Sequence, residues 1–169
     1  MNRYRILNFV LFQSLWFLLV LVRADAWPLA LPMLALMLWA NPQRAQHLPQ
    51  MLIIALAGMI MDSLLVLTGV FVFPDPWLPL WLCLLWLAFA MALPYAFAFL
   101  QRLHPVVQAL SGIPAATSYH AGYIFGAVDY GYPIIPTLVV LSLLWALFLL
   151  AALAFLRQAD KRTMKESTG

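Results

Sequence analysis

Long apolar runs alternate with short polar breaks along the whole 169-residue chain. A helix needs about 20 apolar residues to cross the hydrocarbon core of a bilayer. Six runs of 17 to 24 residues meet or approach this length. They are span 1, residues 6–22; span 2, residues 24–40; span 3, residues 51–73; span 4, residues 77–100; span 5, residues 105–128; and span 6, residues 133–156. The pattern predicts an all-α integral membrane protein, a bundle of six transmembrane helices.

The composition agrees with a chain that has lipid rather than water around it. Hydrophobic residues make up 66% of the sequence and charged residues 9%, whereas about a quarter of a soluble domain is charged. No break between the spans is long enough for a soluble domain. We therefore predict one six-helix transmembrane domain over residues 1–156, followed by a basic cytoplasmic tail over residues 157–169.

The positions of the charged residues predict the orientation. An even number of crossings puts both termini on one side, and basic residues collect on the cytoplasmic side. Arg23 is the one basic residue on the opposite side, together with the acids Asp25, Asp75 and Asp129. The other eight are on the side of the termini: Arg3, Arg5, Arg44, Arg102, Arg157, Lys161, Arg162 and Lys165. Both termini are expected to be cytoplasmic.

The beginning of the chain also has features of a cleavable signal peptide. Arg3 and Arg5 precede an apolar run, and Ala24-Asp25-Ala26 is a small-x-small sequence. The run is long for the apolar region of a signal peptide, and it contains Asn8 and Gln13, which suit packing between helices. We expect the first helix to be retained.

Several common chemistries have no motif in this sequence. Cys83 is the single cysteine, so neither an intrachain disulfide nor a multi-cysteine metal site can form. A phosphate-binding glycine loop, a His-Glu-x-x-His zinc motif and a Gly-x-Ser-x-Gly nucleophile motif are also missing. We predict no cofactor and no metal, and the small basic excess does not imply nucleic acid.

Asp62 is the one acid deep inside a predicted span, at the middle residue of span 3, whereas Asp25 is the second residue of span 2, at its edge. An acid at this depth costs about 2.5 to 3.5 kcal/mol on insertion scales, so it needs a partner inside the protein. It could relay protons or act as a general acid or base on a lipid. The structural alternative is a carboxyl group that fixes the register of neighbouring helices through hydrogen bonds.

Span 5 contains the other polar candidates. Counting residues along spans 1, 3 and 5 brings one cluster to a similar depth: Gln13, Asp62, Ser118, Tyr119 and His120. His120 could carry a proton beside Asp62 or be a neutral histidine that makes one hydrogen bond, which is the commoner case. Ser118, Gly122 and Gly126 follow at intervals of four, a small-residue face that lets another helix approach closely. The aromatic residues of span 4, among them Trp86, either pack in the core or line an acyl-chain groove.

These signatures resemble a known family, the bacterial inner-membrane family called domain of unknown function 2878. The segments that carry the resemblance are Asn8-Phe-Val-Leu-Phe-Gln13, Met61-Asp62-Ser63, Gly112-x-Pro114 and Tyr119-x-Ala121-Gly122-x-x-x-Gly126. The resemblance implies an integral inner-membrane protein. Members of this family often accompany genes for fatty-acid or phospholipid modification, which favours a function connected with lipids.

Three functional hypotheses follow. The first is a protein that handles membrane lipids or supports their modification, through a polar pocket formed by Asp62, Tyr119 and His120 with Gln13 and Ser118. The second is a small proton-coupled transporter in which Asp62 is the coupling acid. The third is a non-catalytic protein that packs against another membrane protein, or against itself, through the small-residue face.

Overall fold

The computed structural model describes residues 3–166, and the side chains of residues 3–159 and 161. The described chain is all-α, with 79% of its residues in helices. The helices are α1 Arg3–Val22, α2 Trp27–Trp39, α3 Arg44–Leu67, α4 Leu80–Ala92, α5 Pro105–Leu110, α6 Gly112–Ile124 and α7 Ile134–Glu166. Two 3-10 turns, Arg23–Ala26 and Ala98–Arg102, and two short strands, β1 Phe71–Val72 and β2 Asp129–Tyr130, complete it. Residues 167–169 of the predicted tail, and the side chains of Arg162 and Lys165, lie outside the described residues.

Three helical stretches in the described chain are long and apolar enough to cross a membrane: Arg3–Trp39, Arg44–Leu67 and Ile134–Ala159. The expectation of apolar membrane-type helices is therefore confirmed. Helix α4 is apolar but shorter, with 13 residues.

The first of these stretches is folded back on itself. As a straight helix its 37 residues would extend about 56 Å, nearly twice the hydrocarbon thickness. Asn8, near the start of α1, instead donates from Nδ2 to Oδ1 of Asn41, just after α2, at 2.6 Å. Arg23 makes the reversal, with φ +59°, so α1 and α2 form an antiparallel hairpin.

Contacts between distant residues define two ends of the bundle. At the end where α1 begins, which we call the terminal end, Nδ1 of His47 is 2.8 Å from the Tyr95 hydroxyl. The ring of Tyr4 is 6.0 Å from that of Tyr95 at the same end. At the opposite end, which we call the ladder end, β1 pairs antiparallel with β2. Arg23 also lies at the ladder end, where its Nη2 donates to the carbonyl of Phe125 at 3.2 Å. The successive segments α1, α2, α3, α4, α5 with α6, and α7 thus alternate in direction between the two ends.

The predicted limits of spans 4 and 5 are wrong. Helix α4 ends at Ala92, because Pro94 has no N–H to continue the hydrogen-bond ladder. The chain then turns through residues 93–104 instead of continuing as helix to residue 100. Span 5 is interrupted at Ser111, where α5 ends and α6 begins, and Pro114 removes another backbone donor in the first turn of α6.

Buried side chains satisfy the backbone of the non-helical segment after α4. The side-chain amide of Gln108, which is fully buried, donates to the carbonyls of Leu100 at 2.9 Å and Leu103 at 3.0 Å. Arg157 of α7 donates to the carbonyl of Gln101 at 3.3 Å. These side chains therefore satisfy three backbone carbonyls of the irregular segment.

The helices form two packed groups. Helix α4 packs against α1, α2 and α3, whereas α7 packs against α5 and α6 and also touches α3. Helices α1 and α6 meet near the ladder end, where the rings of Trp16 and Phe125 are 6.5 Å apart. Below this contact, a space remains between the two groups, and the candidate site lies beside it.

Candidate functional site

Asp62 lies at the seam between the two groups and is fully buried. Trp86 of α4 donates from its indole N–H to Oδ2 of Asp62 at 2.6 Å. The Tyr119 hydroxyl of α6 lies 2.9 Å from Oδ2 and 3.1 Å from Oδ1. One carboxyl group on α3 thus accepts hydrogen bonds from side chains of two other helices, α4 and α6.

Local sequence explains why Trp86 can reach the acid. Gly58 lies one helical turn before Asp62 on α3, and the Trp86 ring occupies the space that a Cβ at Gly58 would need. The small residue therefore lets the indole lie flat against α3, with its N–H directed at the carboxyl group. Gly58 is a positioning residue for this hydrogen bond.

Aromatic stacking fixes both donors. The Trp86 ring stacks on Trp145 of α7, with centroids 5.2 Å apart and planes 9° from parallel. The Tyr119 ring stacks on Phe71 of β1, with centroids 5.2 Å apart and planes 17° from parallel. Because both rings are held by stacking, their polar atoms are preorganised around Asp62.

A cavity of about 620 Å³ lies next to Trp86 and Tyr119, on the side away from Asp62. Its volume is within the range of small-molecule pockets, about 300 to 1,000 Å³. Trp86, Tyr119 and Trp145 form part of its lining, and most of the remainder is apolar or aromatic. Residues of α1, α4, α6 and α7 contribute, together with the segment after α4. Asp62 is not one of the lining residues, so it lies behind Trp86 and Tyr119.

The cavity opens on the side of the bundle. Its lining includes Gln13 in the middle of α1 and Thr117 in the middle of α6, and both are exposed. Phe17 and Phe99 also line it and are 49% and 56% exposed. Gln13, Phe17 and Thr117 lie within α1 and α6 and not at the ends of the bundle, so the mouth is directed sideways, between α1 and α6. Phe99, in the 3-10 turn Ala98–Arg102, lies toward the terminal end.

The structure brings together only part of the predicted five-residue cluster. Tyr119 bonds to Asp62, while Gln13 and Ser118 lie in the cavity lining, where the Ser118 hydroxyl donates to the carbonyl of Ala115 at 2.6 Å. His120 is directed elsewhere: its ring stacks on Tyr123 at 5.8 Å, and its buried Nδ1 has no hydrogen-bond partner among the described residues. Tyr119 and His120 are consecutive on a helix, so their side chains are about 100° apart around its axis.

The predicted small-residue face is not a continuous helical stripe. Helix α6 ends at Ile124, and Gly126 lies beyond it with φ +67°, the left-handed conformation common just after a helix. Gly122 is buried inside the molecule, and a Cβ there would contact Val128 at 3.7 Å. Packing of this face against another protein stays a prediction.

Sequence reasoning missed two residues of this region. Trp86 is visible in the sequence as one of several aromatic residues, but nothing marks its N–H as the partner of the acid. Gln108 was not assigned a role, although a long polar side chain close to two prolines is a signal for unpaired backbone carbonyls nearby. Trp81, Phe89, Phe97 and Phe99, taken from the sequence as packing or groove residues, all contribute to the cavity lining.

Tyr130 of β2 is a partly buried phenol at the ladder end. Burial, with a smaller contribution from Tyr123, raises the pKa of Tyr130 to about 12, so this phenol stays neutral at physiological pH. Within residues 3–159 and 161, no three His, Cys, Asp or Glu side chains are grouped so that they could hold a metal ion.

Comparison with known proteins gives a family and no activity. No curated protein and no solved structure matches the chain. One family model matches residues 5–151, which cover all of the helices around the cavity except the end of α7. Its description is "Protein of unknown function (DUF2878)". The chain belongs to the DUF2878 family.

Proposed function

We propose that this protein is a six-span protein of a bacterial inner membrane that binds a membrane lipid in the lateral cavity, and so handles lipids or supports their modification. The six-span arrangement is supported by the six segments that alternate in direction between the two ends. The basic residues Arg3, Arg5, Arg44 and Arg157 belong to the terminal end, which favours cytoplasmic termini. Helices too short to cross alone are completed by irregular segments with buried polar partners, as after α4.

The lateral mouth of the cavity carries the proposal. In a bilayer, an opening between the middles of α1 and α6 is directed toward acyl chains and not toward water. The lining is dominated by Trp, Phe and Leu side chains, which suit a hydrocarbon chain. An acyl chain can enter from the membrane without passing through an aqueous phase.

The polar side chains in the lining give the cavity one place for a more polar part of a lipid. Ser118 and Tyr119 are neighbours in the lining, and Gln13 lies across the mouth on α1. Asp62 does not touch the cavity, so its role in this proposal is to position Trp86 and Tyr119. A carboxyl group that accepts from both donors holds the two rings in place in the lining.

The test is the lipid that accompanies the purified protein. Protein extracted in mild detergent, washed and exchanged into nanodiscs that contain phosphatidylethanolamine and phosphatidylglycerol is analysed by native mass spectrometry. We expect retained phospholipid on the wild type and its loss in Ala121→Phe, which fills the cavity. Ile124→Phe is the matched control, because Ile124 is on the same helix, is 68% exposed and does not line the cavity.

Equal lipid retention in the wild type, Ala121→Phe and Ile124→Phe would contradict the proposal. A wild type without retained phospholipid would contradict it as well. Lipid profiles of a deletion strain then test the cellular role: lipid handling predicts an altered profile that the wild-type gene restores and the Ala121→Phe gene does not.

The buried acid favours a second candidate, a proton-coupled permease. A fully buried carboxyl group between three helices has the placement of a coupling acid. Asp62→Asn distinguishes the two functions, because the amide still accepts from Trp86 but cannot release a proton. Lipid retention should survive in Asp62→Asn if lipid binding is the function, whereas proton flux into proteoliposomes should be abolished if the protein is a permease.

A further inference from the structure

A second cavity, of about 410 Å³, lies at the ladder end next to the first one. Trp81 and Val128 line both cavities, so the two spaces are adjacent. The first cavity is lined mainly by apolar groups, whereas the second contains one basic and two acidic side chains. Together they have the layout of an apolar compartment below a charged one.

The charged side chains are Arg23, Asp75 and Asp129, and all three are exposed. The guanidinium of Arg23 donates one hydrogen bond, to the carbonyl of Phe125 at 3.2 Å. It has five N–H donors, so others remain for a ligand. Among the contacts of the described residues, no ion pair joins Arg23 to either acid. The cation and the acids are therefore available to separate groups of one ligand.

The second cavity is at the level expected for lipid headgroups. Trp77 lines it and is 76% exposed, and Tyr132 near the same end is 55% exposed. Exposed Trp and Tyr side chains of membrane proteins concentrate at the boundary between headgroups and hydrocarbon. A lipid with its acyl chain in the first cavity would therefore have its headgroup beside the second.

We propose that the two cavities bind one phospholipid whose headgroup carries a primary ammonium group, with its phosphate on Arg23, its ammonium between Asp75 and Asp129, and an acyl chain in the lateral cavity. This inference rests on the proposed function and names the lipid class for that site. Arg binds phosphate through parallel N–H donors, and a primary ammonium donates up to three hydrogen bonds to carboxylates. An anionic headgroup gains the contact with Arg23 but gains nothing from the two acids, so these acids select the amine.

The experiment compares lipids that differ in the headgroup alone. Purified protein is equilibrated in nanodiscs with equal amounts of phosphatidylethanolamine and phosphatidylglycerol of the same acyl chains, and the retained lipids are measured by native mass spectrometry. We expect the wild type to retain more phosphatidylethanolamine. Asp75→Asn with Asp129→Asn should reduce this preference by about threefold to tenfold, since two exposed ion pairs are removed. Asp25→Asn is the matched control, an exposed acid at the same end that does not line the cavity.

Two further arms identify the source of the binding. Glycerophosphoethanolamine has the headgroup without acyl chains, and we expect it not to displace the lipid at equal concentration. Arg23→Gln should weaken retention of both lipids, because both contain the phosphate. If the double variant is not recovered from membranes, Asp75→Asn and Asp129→Asn are measured singly, and each should show a smaller loss of preference.

The outcomes separate this inference from the function on which it rests. An unchanged preference in the Asn variants, or an equal loss in Asp25→Asn, overturns the headgroup assignment while lipid binding stands. Displacement by the chain-free headgroup overturns the two-compartment arrangement. A wild type without retained lipid, or retention unaffected by Ala121→Phe, overturns the proposed function itself.

Discussion

Removing the carboxyl group of Asp62 should destabilise the protein by several kcal/mol, and the structure gives the reason. Asp62→Ala leaves the Trp86 N–H and the Tyr119 hydroxyl buried without the acceptor that each now has. A buried polar group left unsatisfied costs about 1 to 3 kcal/mol. With two such groups, the expected loss in the free energy of unfolding is about 2 to 6 kcal/mol.

Tyr119→Phe provides the second side of a double-mutant cycle. It removes one donor and leaves Asp62 bonded to Trp86, so we expect a loss of about 1 kcal/mol. In the double variant, position 119 has no hydroxyl to leave unsatisfied. The combined loss should therefore be smaller than the sum of the single losses by about 2 to 4 kcal/mol, because both the unsatisfied hydroxyl and the loss in Tyr119→Phe disappear.

The assay is equilibrium unfolding in mixed micelles at increasing sodium dodecyl sulfate, followed by far-ultraviolet circular dichroism and tryptophan fluorescence. Ser63→Ala is the control, because Ser63 neighbours the acid but bonds to the carbonyl of Met59 in its own helix, at 2.7 Å. We expect it to change stability by less than about 0.5 kcal/mol. A loss under about 1 kcal/mol in Asp62→Ala, or strict additivity in the double variant, would refute the three-helix hydrogen-bond cluster.

Two further predictions concern residues that shape the bundle around the site. Gly58→Ala should lower the free energy of unfolding by about 1 to 3 kcal/mol in the same assay, because its Cβ would overlap the Trp86 ring. Gly122→Ala is the control and should be nearly neutral, because Gly122 has room for a Cβ. Equal losses in the two variants would contradict this explanation. Gln108→Leu should cost about 2 to 4 kcal/mol because it leaves two carbonyls without their donor, whereas the exposed Gln43→Leu should not. A Gln108→Leu variant as stable as the wild type would mean that another group satisfies these carbonyls.

Much of the architecture could be predicted from hydrophobicity, because lipid-facing helices must be apolar over a fixed length. All six apolar runs contain helix in the structure, although the limits of spans 3, 4 and 5 were wrong. In place of span 3, residues 51–73, the structure has helix α3 Arg44–Leu67 followed by strand β1. In spans 4 and 5 a proline lies close to the break: α4 ends two residues before Pro94, and α6 begins two residues before Pro114, after α5 has ended at Leu110. A proline has no backbone N–H, so it removes one hydrogen bond from a helix at that point.

The sequence was enough to identify Asp62 as a candidate site residue, but it identified the hydrogen-bond partners of Asp62 only in part. Asp62 is visible because an acid inside an apolar run is rare. Tyr119 was placed near it by counting depth along the helices. Counting depth gives no rotation about the helix axis, however, so it could not separate Tyr119, which faces the acid, from His120, which does not. Trp86 could not be recognised as a partner of Asp62, because tryptophans of membrane proteins are common at the interface with water and nothing in the sequence shows that this one is buried beside an acid.

The sequence by itself determined that the chain is helical, that it is of the membrane type, that most of its basic residues belong to one end, and that an acid lies deep inside one apolar run. These properties depend on composition and on positions along single segments, which the order of residues contains directly. Only the tertiary structure decided which side chains meet that acid, that a cavity with a lateral mouth separates α1 from α6, and that Arg23, Asp75 and Asp129 line one space beside it. Those features arise from the rotation and packing of helices against each other, and they depend on residues that are far apart in the chain.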